Sequence, residues 1–295
     1  MFIITQFIGL YVINFYLSEQ EKIPYGFDQT ENIEKDSELY LQFFISLIIS
    51  FLLAIAIVFL LMKVRYILFM RAWFFIVIAL SLGITLNVIT SKINLIYPSL
   101  FSIVFGVTLA YFKVFKRDLV IHNLTELMIY PGIAAIFVSI LNLPFTILLL
   151  IAISIYDIWA VWHSKVMQKM AKFQINSLGI FGGFFLPYAS KEIKQKIKNL
   201  KLKYKDKIPL SVIKRSKIKV NLAILGGGDV IFPAISAGVM LKTFNSFMPA
   251  FSVIFFASLS LLYLFIFAKK RKFYPAMPYL TAGIFIGMLV GWLIL

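Results

Sequence analysis

Long apolar runs separated by charged gaps constrain this chain more than any other feature. A helix that crosses a bilayer needs roughly 20 mostly apolar residues, and nine runs meet or approach that length. They cover about 1–17, 39–62, 66–90, 94–112, 124–141, 144–163, 220–242, 247–268 and 275–295. The apolar share of 61% and the mean hydropathy of +0.92 exceed those of soluble globular domains. The sequence therefore predicts an all-α polytopic membrane protein with nine transmembrane helices.

The distribution of charge predicts how these helices are oriented. An acidic stretch from Ser18 to Glu38 follows the first run. If the helices alternate in direction from there, every strongly basic gap falls on the opposite side of the membrane from this stretch. The positive-inside rule places the basic gaps in the cytoplasm, the N-terminus inside and the C-terminus outside. Topology and anionic lipid head groups thus account for the net charge of +16, and nucleic acid is not an expected partner.

The longest gap divides the chain into three parts. Residues 1–163 form a predicted N-terminal part with six helices, and residues 220–295 a C-terminal part with three. Residues 164–219 form a basic cytoplasmic linker that carries 15 Lys or Arg. Its short apolar run Leu178–Leu186 is predicted either to lie at the membrane interface near a gate or to be a patch on a solvated linker.

Two acids, Asp157 and Asp229, lie deep in apolar runs, whereas the other acids lie in loops, in gaps or, for Glu126, near a helix start. A charged carboxyl at such depth costs roughly 2.5 to 3.5 kcal/mol, so a function is expected. The sixth helix runs inward and the seventh returns, which puts the two acids at depths of roughly 10 and 13 Å. Facing carboxyls would share a proton and titrate as a unit, as aspartic proteases require. The same pair would also suit a proton relay or a cation site in a transporter, or the hydrogen-bonding of helix backbone.

Three short motifs surround these acids. The first is YD in the sixth run, the second GGGD in the seventh, and the third PAMP at the inside end of the ninth. Consecutive glycines loosen a helix and let another backbone approach, and the two prolines leave backbone carbonyls unpaired on the same side as the acids. The candidate site residues beside the two acids are Tyr156, Gly226, Gly227, Gly228, Pro275, Ala276, Met277 and Pro278.

YD, a GxGD motif and a PAL-type motif, in this order on the sixth, seventh and ninth helices, resemble the presenilin and signal peptide peptidase family of intramembrane aspartyl proteases, particularly its archaeal members. The resemblance covers essentially the whole chain and implies a presenilin-like fold with Asp157 and Asp229 as the catalytic dyad. It further implies that the glycines shape the site and that the PAMP residues bind substrate and hold the dyad in register. The third motif departs from PAL by Met277, which has a volume similar to that of leucine.

The resemblance implies an endopeptidase, without metal or cofactor, that cleaves transmembrane segments or remnant signal peptides of membrane proteins. The motifs do not agree on a subfamily: GDVIFP resembles signal peptide peptidase, whereas PAMP followed by Tyr279 resembles presenilin. The alternative functions are a cation or proton transporter or channel that uses the same acids, and a non-catalytic scaffold. The absence of cysteine excludes thiol chemistry. The oligomeric state stays open.

Overall fold

A computed structural model describes residues 1–18, 23–26, 37–64, 66–93, 95–116, 118–163, 178–188, 221–267 and 274–295, with isolated positions at 170, 173, 174 and 195. These residues form nine α-helices and two β-strands. The helices are α1 Phe2–Ser18, α2 Ser37–Val64, α3 Ile67–Lys92, α4 Pro98–Tyr111, α5 Leu119–Ile140, α6 Leu143–Ile158, α7 Gly227–Phe244, α8 Phe247–Phe267 and α9 Met277–Leu293. The strands are β1 Gly183–Tyr188 and β2 Asn221–Gly226.

The apolar runs fold into helices that suit a bilayer. The helical segments α3, α4, α5, α6 and α8 are long and apolar enough to cross a membrane, where α4 and α6 are extended by the π-helical turns Phe112–Lys116 and Trp159–His163. The helices α1 and α9 are apolar but shorter. The chain is therefore a helical integral membrane protein, as the sequence predicts. The number of nine spans and the inside position of the N-terminus stay predictions.

Helix α5 lies at the centre of the bundle, where it packs against α1, α3 and α7. Helix α9 packs along α8 and also reaches α6. Small residues explain the close approach of α8 and α9: a Cβ added to Gly287 would lie 2.6 Å from the Cα of Val253, and one added to Gly291 would lie 2.8 Å from the Cα of Pro249. Such close packing is the usual means by which membrane helices associate.

A two-stranded antiparallel sheet interrupts the helical pattern and corrects one prediction. The sequence predicts a helix from about residue 220, whereas the backbone of Asn221–Gly226 pairs with Gly183–Tyr188, with Gly226 opposite Gly183. Consecutive glycines disfavour a helix interior, so α7 begins only at Gly227. The apolar run Leu178–Leu186 ends in β1, while most of the predicted linker 164–219 lies outside the described residues.

The strand β1 is fixed to the bundle by α5. The side chain of Asn123 forms two hydrogen bonds with the backbone of Phe185, accepting from its N–H at 3.0 Å and donating to its carbonyl at 2.8 Å. This amide takes the place that a neighbouring strand would occupy. The ring of Phe184, which is fully buried, packs edge-on against Tyr130 of α5. The sheet is therefore held at a set height beside the start of α7.

Candidate active site

Asp157 lies in the last turn of α6. The helix is started by Asn142, whose side chain accepts a hydrogen bond from the backbone N–H of Phe145. At its other end Asp157 points into the bundle and is 8% exposed. Tyr156 precedes it, is partly buried and packs near Trp159 with ring centroids 6.3 Å apart. The YD motif thus presents its carboxyl inward and its phenol toward the edge of the bundle.

The first turn of α9 binds the carboxyl group of Asp157. The backbone N–H of Met277 donates to Asp157 Oδ2 at 3.0 Å, and the N–H of Ala276 also faces this carboxyl. The first N–H groups of a helix lack a partner within the helix. The carboxyl group of Asp157 therefore accepts hydrogen bonds that these N–H groups cannot donate within α9. The sequence predicts unpaired backbone carbonyls from Pro275 and Pro278, but the groups that face the Asp157 carboxyl are N–H donors. Pro278 occupies one of the first two positions of α9, where its lack of an N–H has no cost.

A second buried contact joins α6 to α9. The hydroxyl groups of Ser154 and Thr281 lie 2.7 Å apart, and both side chains are buried. Ser154 is one turn before Asp157, and Thr281 is one turn after Met277. The two helices are therefore connected by polar contacts at two heights, and the position of Asp157 depends on both.

Asp229 lies in the first turn of α7. Gly226 is the residue that caps this helix, and its backbone N–H faces the Asp229 carboxyl. This is one half of a capping box, in which the third helical residue reaches back to the capping N–H. The sequence predicts Asp229 about nine residues into a helix, whereas it is the third residue of α7. Pro233 follows four residues later and has no N–H for the Asp229 carbonyl.

The three glycines before Asp229 have different surroundings. Gly227 is packed: its N–H donates to the carbonyl of Gly182 at 3.2 Å, and an added Cβ would lie 3.1 Å from the hydroxyl of Tyr130. Gly228 is exposed, and an added Cβ would be 3.7 Å from the ring of Phe232. An added Cβ on Gly226 would lie 3.1 Å from Asp229 Oδ2. The lack of a side chain at Gly227 therefore allows Tyr130 and Gly182 to pack against the turn, whereas Gly228 is exposed at the surface.

The structure brings the two predicted catalytic acids near each other. Asp229 is partly buried, and its carboxyl is near enough to that of Asp157 for two carboxylates to repel each other. They come from α6 and α7, which are in contact. Each carboxyl faces backbone N–H groups from a helix N-terminus, that of α9 for Asp157 and that of α7 for Asp229. Two such carboxyls and a water molecule between them are the groups that general acid and base catalysis of hydrolysis requires.

A third buried acid lies outside the predicted set of site residues. The sequence predicts Glu126 near a helix start, but the residue is 1% exposed in α5 and forms an ion pair with Lys113 of the π-helical turn after α4. His122 lies 3.6 Å from Glu126 Oε1 and contacts the carbonyl of Gly183 at 2.8 Å through Nε2. A signal was present, because His122, Glu126 and Tyr130 are spaced by four residues and share one face of the helix.

A further polar contact reaches the site from α1. The side-chain nitrogen of Gln6 donates to the carbonyl of Val230 at 2.9 Å, and Gln6 is fully buried. Val230 follows Asp229 directly. A glutamine in the middle of an apolar run is the only sequence signal for this contact. Its effect is to fix the first turn of α7 against α1.

The chain is similar in structure to two solved structures of a presenilin family intramembrane aspartate protease, which come from two crystal forms. The first has a TM-score of 0.59 and 17% sequence identity, and the match covers 100% of this chain and 96% of that one. The second has a TM-score of 0.59 and 16% identity, and covers 100% and 97% of the two chains. No family model matches the sequence, and no curated protein does. The chain therefore has a presenilin-like fold, which confirms the predicted fold class.

Proposed function

We propose that this chain is an intramembrane aspartic endopeptidase in which Asp157 and Asp229 form the catalytic pair. The observation that carries the proposal is the convergence of these two carboxyls from different helices of a largely apolar bundle. Buried acids in a membrane protein mark functional sites. The structural similarity to presenilin family proteases supports the same function.

The proposed reaction is hydrolysis of a peptide bond. One carboxylate of the pair takes a proton from a water molecule, whose oxygen forms a bond with the scissile carbonyl carbon. The protonated partner donates a hydrogen bond to the carbonyl oxygen. When the C–N bond breaks, the leaving nitrogen takes a proton from the pair, so the enzyme returns to its singly protonated state. The N–H groups of Ala276 and Met277 hold the Asp157 carboxyl in place during these steps.

The proposed substrate is a transmembrane segment or a remnant signal peptide of another membrane protein. A helical substrate has to become extended before its amide can reach the acids, since a helix covers its own backbone. The site offers space for that: Gly228 is exposed beside Asp229, and β2 runs directly into Gly226. We assign the recognition of this extended peptide to the GGGD turn, the PAMP turn and Tyr156.

We also propose how the three parts of the chain contribute to the site. Residues 1–163 supply Asp157, residues 220–295 supply Asp229 and the PAMP turn, and the basic segment 164–219 connects them on the cytoplasmic side. The protein lies in the cell membrane with its N-terminus inside and its C-terminus outside. The partners are the bilayer and a membrane-protein substrate.

A cleavage assay tests the proposal. The purified protein in detergent is mixed with a fluorogenic transmembrane peptide, and the fragments are identified by mass spectrometry. Replacing either acid by asparagine, in Asp157→Asn or Asp229→Asn, is expected to lower the cleavage rate by more than about a thousandfold. Each substitution removes one of the two carboxyls, which act together in the proposed reaction.

Asp118→Asn is the matched control. The Asp118 side chain accepts hydrogen bonds from the N–H groups of Val120 and Ile121 at the start of α5. Asparagine caps a helix as well as aspartate does, so this variant keeps its cleavage rate. Cleavage that persists in Asp157→Asn or Asp229→Asn contradicts the proposal. So does an absence of fragments together with cation flux into vesicles that requires both acids, which indicates a transporter.

A further inference from the structure

Tyr130 has a buried hydroxyl group without a well-formed hydrogen bond. Its side chain is 2% exposed in the middle of α5, and none of the residues that the structure describes completes a hydrogen bond with its oxygen. The aromatic ring is accounted for, because it packs edge-on against Phe184 with centroids 5.5 Å apart. This packing does not account for the hydroxyl group, since the ring of a phenylalanine would pack equally well. A buried unpaired hydroxyl lowers stability, so its presence calls for an explanation.

The hydroxyl group faces the turn that carries Asp229. It lies against Gly227, where an added Cβ would be 3.1 Å from the hydroxyl oxygen. Its charged neighbours are Glu126, one turn earlier on α5, and Asp229 on α7. The hydroxyl therefore has two carboxyls near it: the nearer one, of Glu126, belongs to the buried ion-pair cluster, and the other, of Asp229, belongs to the candidate active site.

The two acceptors differ in how far they are already engaged. Glu126 Oε1 is bound by Lys113, and His122 lies 3.6 Å from the same oxygen. Both side chains of the ion pair are 2% exposed, so the ion pair is shielded from water and holds Glu126 firmly. The Asp229 carboxyl faces one backbone donor, the N–H of Gly226. The Asp229 carboxyl is therefore the less engaged of the two acceptors.

We propose that Tyr130 is a positioning residue of the candidate active site, whose hydroxyl donates a hydrogen bond to the Asp229 carboxyl in part of the resting population and throughout the reaction. The inference rests on the proposed protease function. The hydrogen bond fixes the orientation of Asp229 toward the water and the scissile carbonyl. The ion pair between Lys113 and Glu126 keeps α5, and with it Tyr130, in register with the turn.

Tyr130→Phe tests this role, because it removes the hydroxyl and keeps the ring. We expect kcat to fall by about tenfold, since a hydrogen bond to a charged group is lost in the transition state. KM is expected to stay unchanged, because the tyrosine does not contact the substrate. The melting temperature is expected to stay the same or rise, since a buried unpaired hydroxyl has been removed.

Tyr16→Phe is the matched control with the opposite pattern. The hydroxyl of Tyr16 is also buried, but it donates to the carbonyl of Ile84 at 2.7 Å. Its removal is expected to lower the melting temperature and leave kcat unchanged below that temperature. The inference is contradicted if Tyr130→Phe keeps the wild-type kcat, or if it loses stability in the way that Tyr16→Phe does.

A second measurement separates this inference from the protease function. Carbodiimide labelling of membrane-buried carboxyls, located by mass spectrometry, requires no substrate. Without its donor, Asp229 is more often protonated, which is the form that carbodiimides modify. Tyr130→Phe is therefore expected to raise labelling at Asp229 relative to Asp157, and Tyr16→Phe to leave the ratio unchanged. An unchanged ratio in Tyr130→Phe overturns the inference even if the wild-type protein cleaves no peptide.

Discussion

The two candidate catalytic acids are held by different kinds of structure. Asp157 lies in the last turn of the regular helix α6, and its carboxyl is bound by the N-terminus of α9. The hydroxyl pair of Ser154 and Thr281 joins the same two helices one turn away. Asp229 sits where a strand becomes a helix, and its turn contacts α5, β1 and α1. The first acid therefore depends on the docking of two helices, whereas the second depends on a glycine turn packed among three elements. Different substitutions should disturb each half.

The largest effect is expected on the Asp229 half. Gly227→Ala places a Cβ at 3.1 Å from the Tyr130 hydroxyl and 3.3 Å from the Gly182 carbonyl, so the packed turn has to shift. Overpacking of this kind costs roughly 1 to 3 kcal/mol. We expect the free energy of unfolding, measured in detergent, to fall by about that amount and the cleavage rate to fall with it.

Gly228→Ala is the control, because it introduces the same methyl group at the next position. Its nearest neighbour is the ring of Phe232 at 3.7 Å, which is ordinary van der Waals contact. The free energy of unfolding should change little. An equal loss in both variants would show that the glycines act through helix propensity and not through the packing of Gly227.

A smaller effect is expected on the Asp157 half, from the hydroxyl pair Ser154 and Thr281. Ser154→Ala and Thr281→Val each leave the partner hydroxyl buried and unpaired. A double-mutant cycle on the free energy of unfolding should give a coupling of about 0.6 kcal/mol, which is typical of side-chain hydrogen bonds between membrane helices. Ser258→Ala is the control, since its hydroxyl donates only within its own helix, to Ile254. A coupling of zero contradicts the account of how α6 docks on α9.

The comparison of the two halves also explains what the sequence could predict. Apolar runs predict most of the helices, because few other structures pair the backbone N–H and C=O groups within lipid. Asp157 lies near the end of the predicted sixth helix. The helix predicted before Asp229 is wrong. Residues Asn221–Gly226 are apolar enough to continue a membrane helix, and their strand conformation depends on pairing with β1, which is more than 30 residues away.

Long-range contacts account for the other residues that were missed. Glu126 is adjacent to its partner Lys113 only because the π-helical turn Phe112–Lys116 packs against α5, and nothing local indicates that pairing. The hydroxyl of Tyr130 gains its position from the absence of a side chain at Gly227, a residue almost 100 positions later. The PAMP prolines were identified from the sequence, but the donors beside them depend on the way α9 meets α6.

The central claim is that positions 157 and 229 meet at one point between α6 and α7. The chain has no cysteine, so Asp157→Cys with Asp229→Cys introduces a single pair of thiols. A short bis-thiol reagent should crosslink this pair within one chain, and tryptic digestion followed by mass spectrometry should recover the joined peptides. Ile155→Cys with Asp229→Cys, in which the first side chain is 63% exposed on another face of α6, should give no such product. Crosslinking of the 155 and 229 pair but not of the 157 and 229 pair would contradict the account.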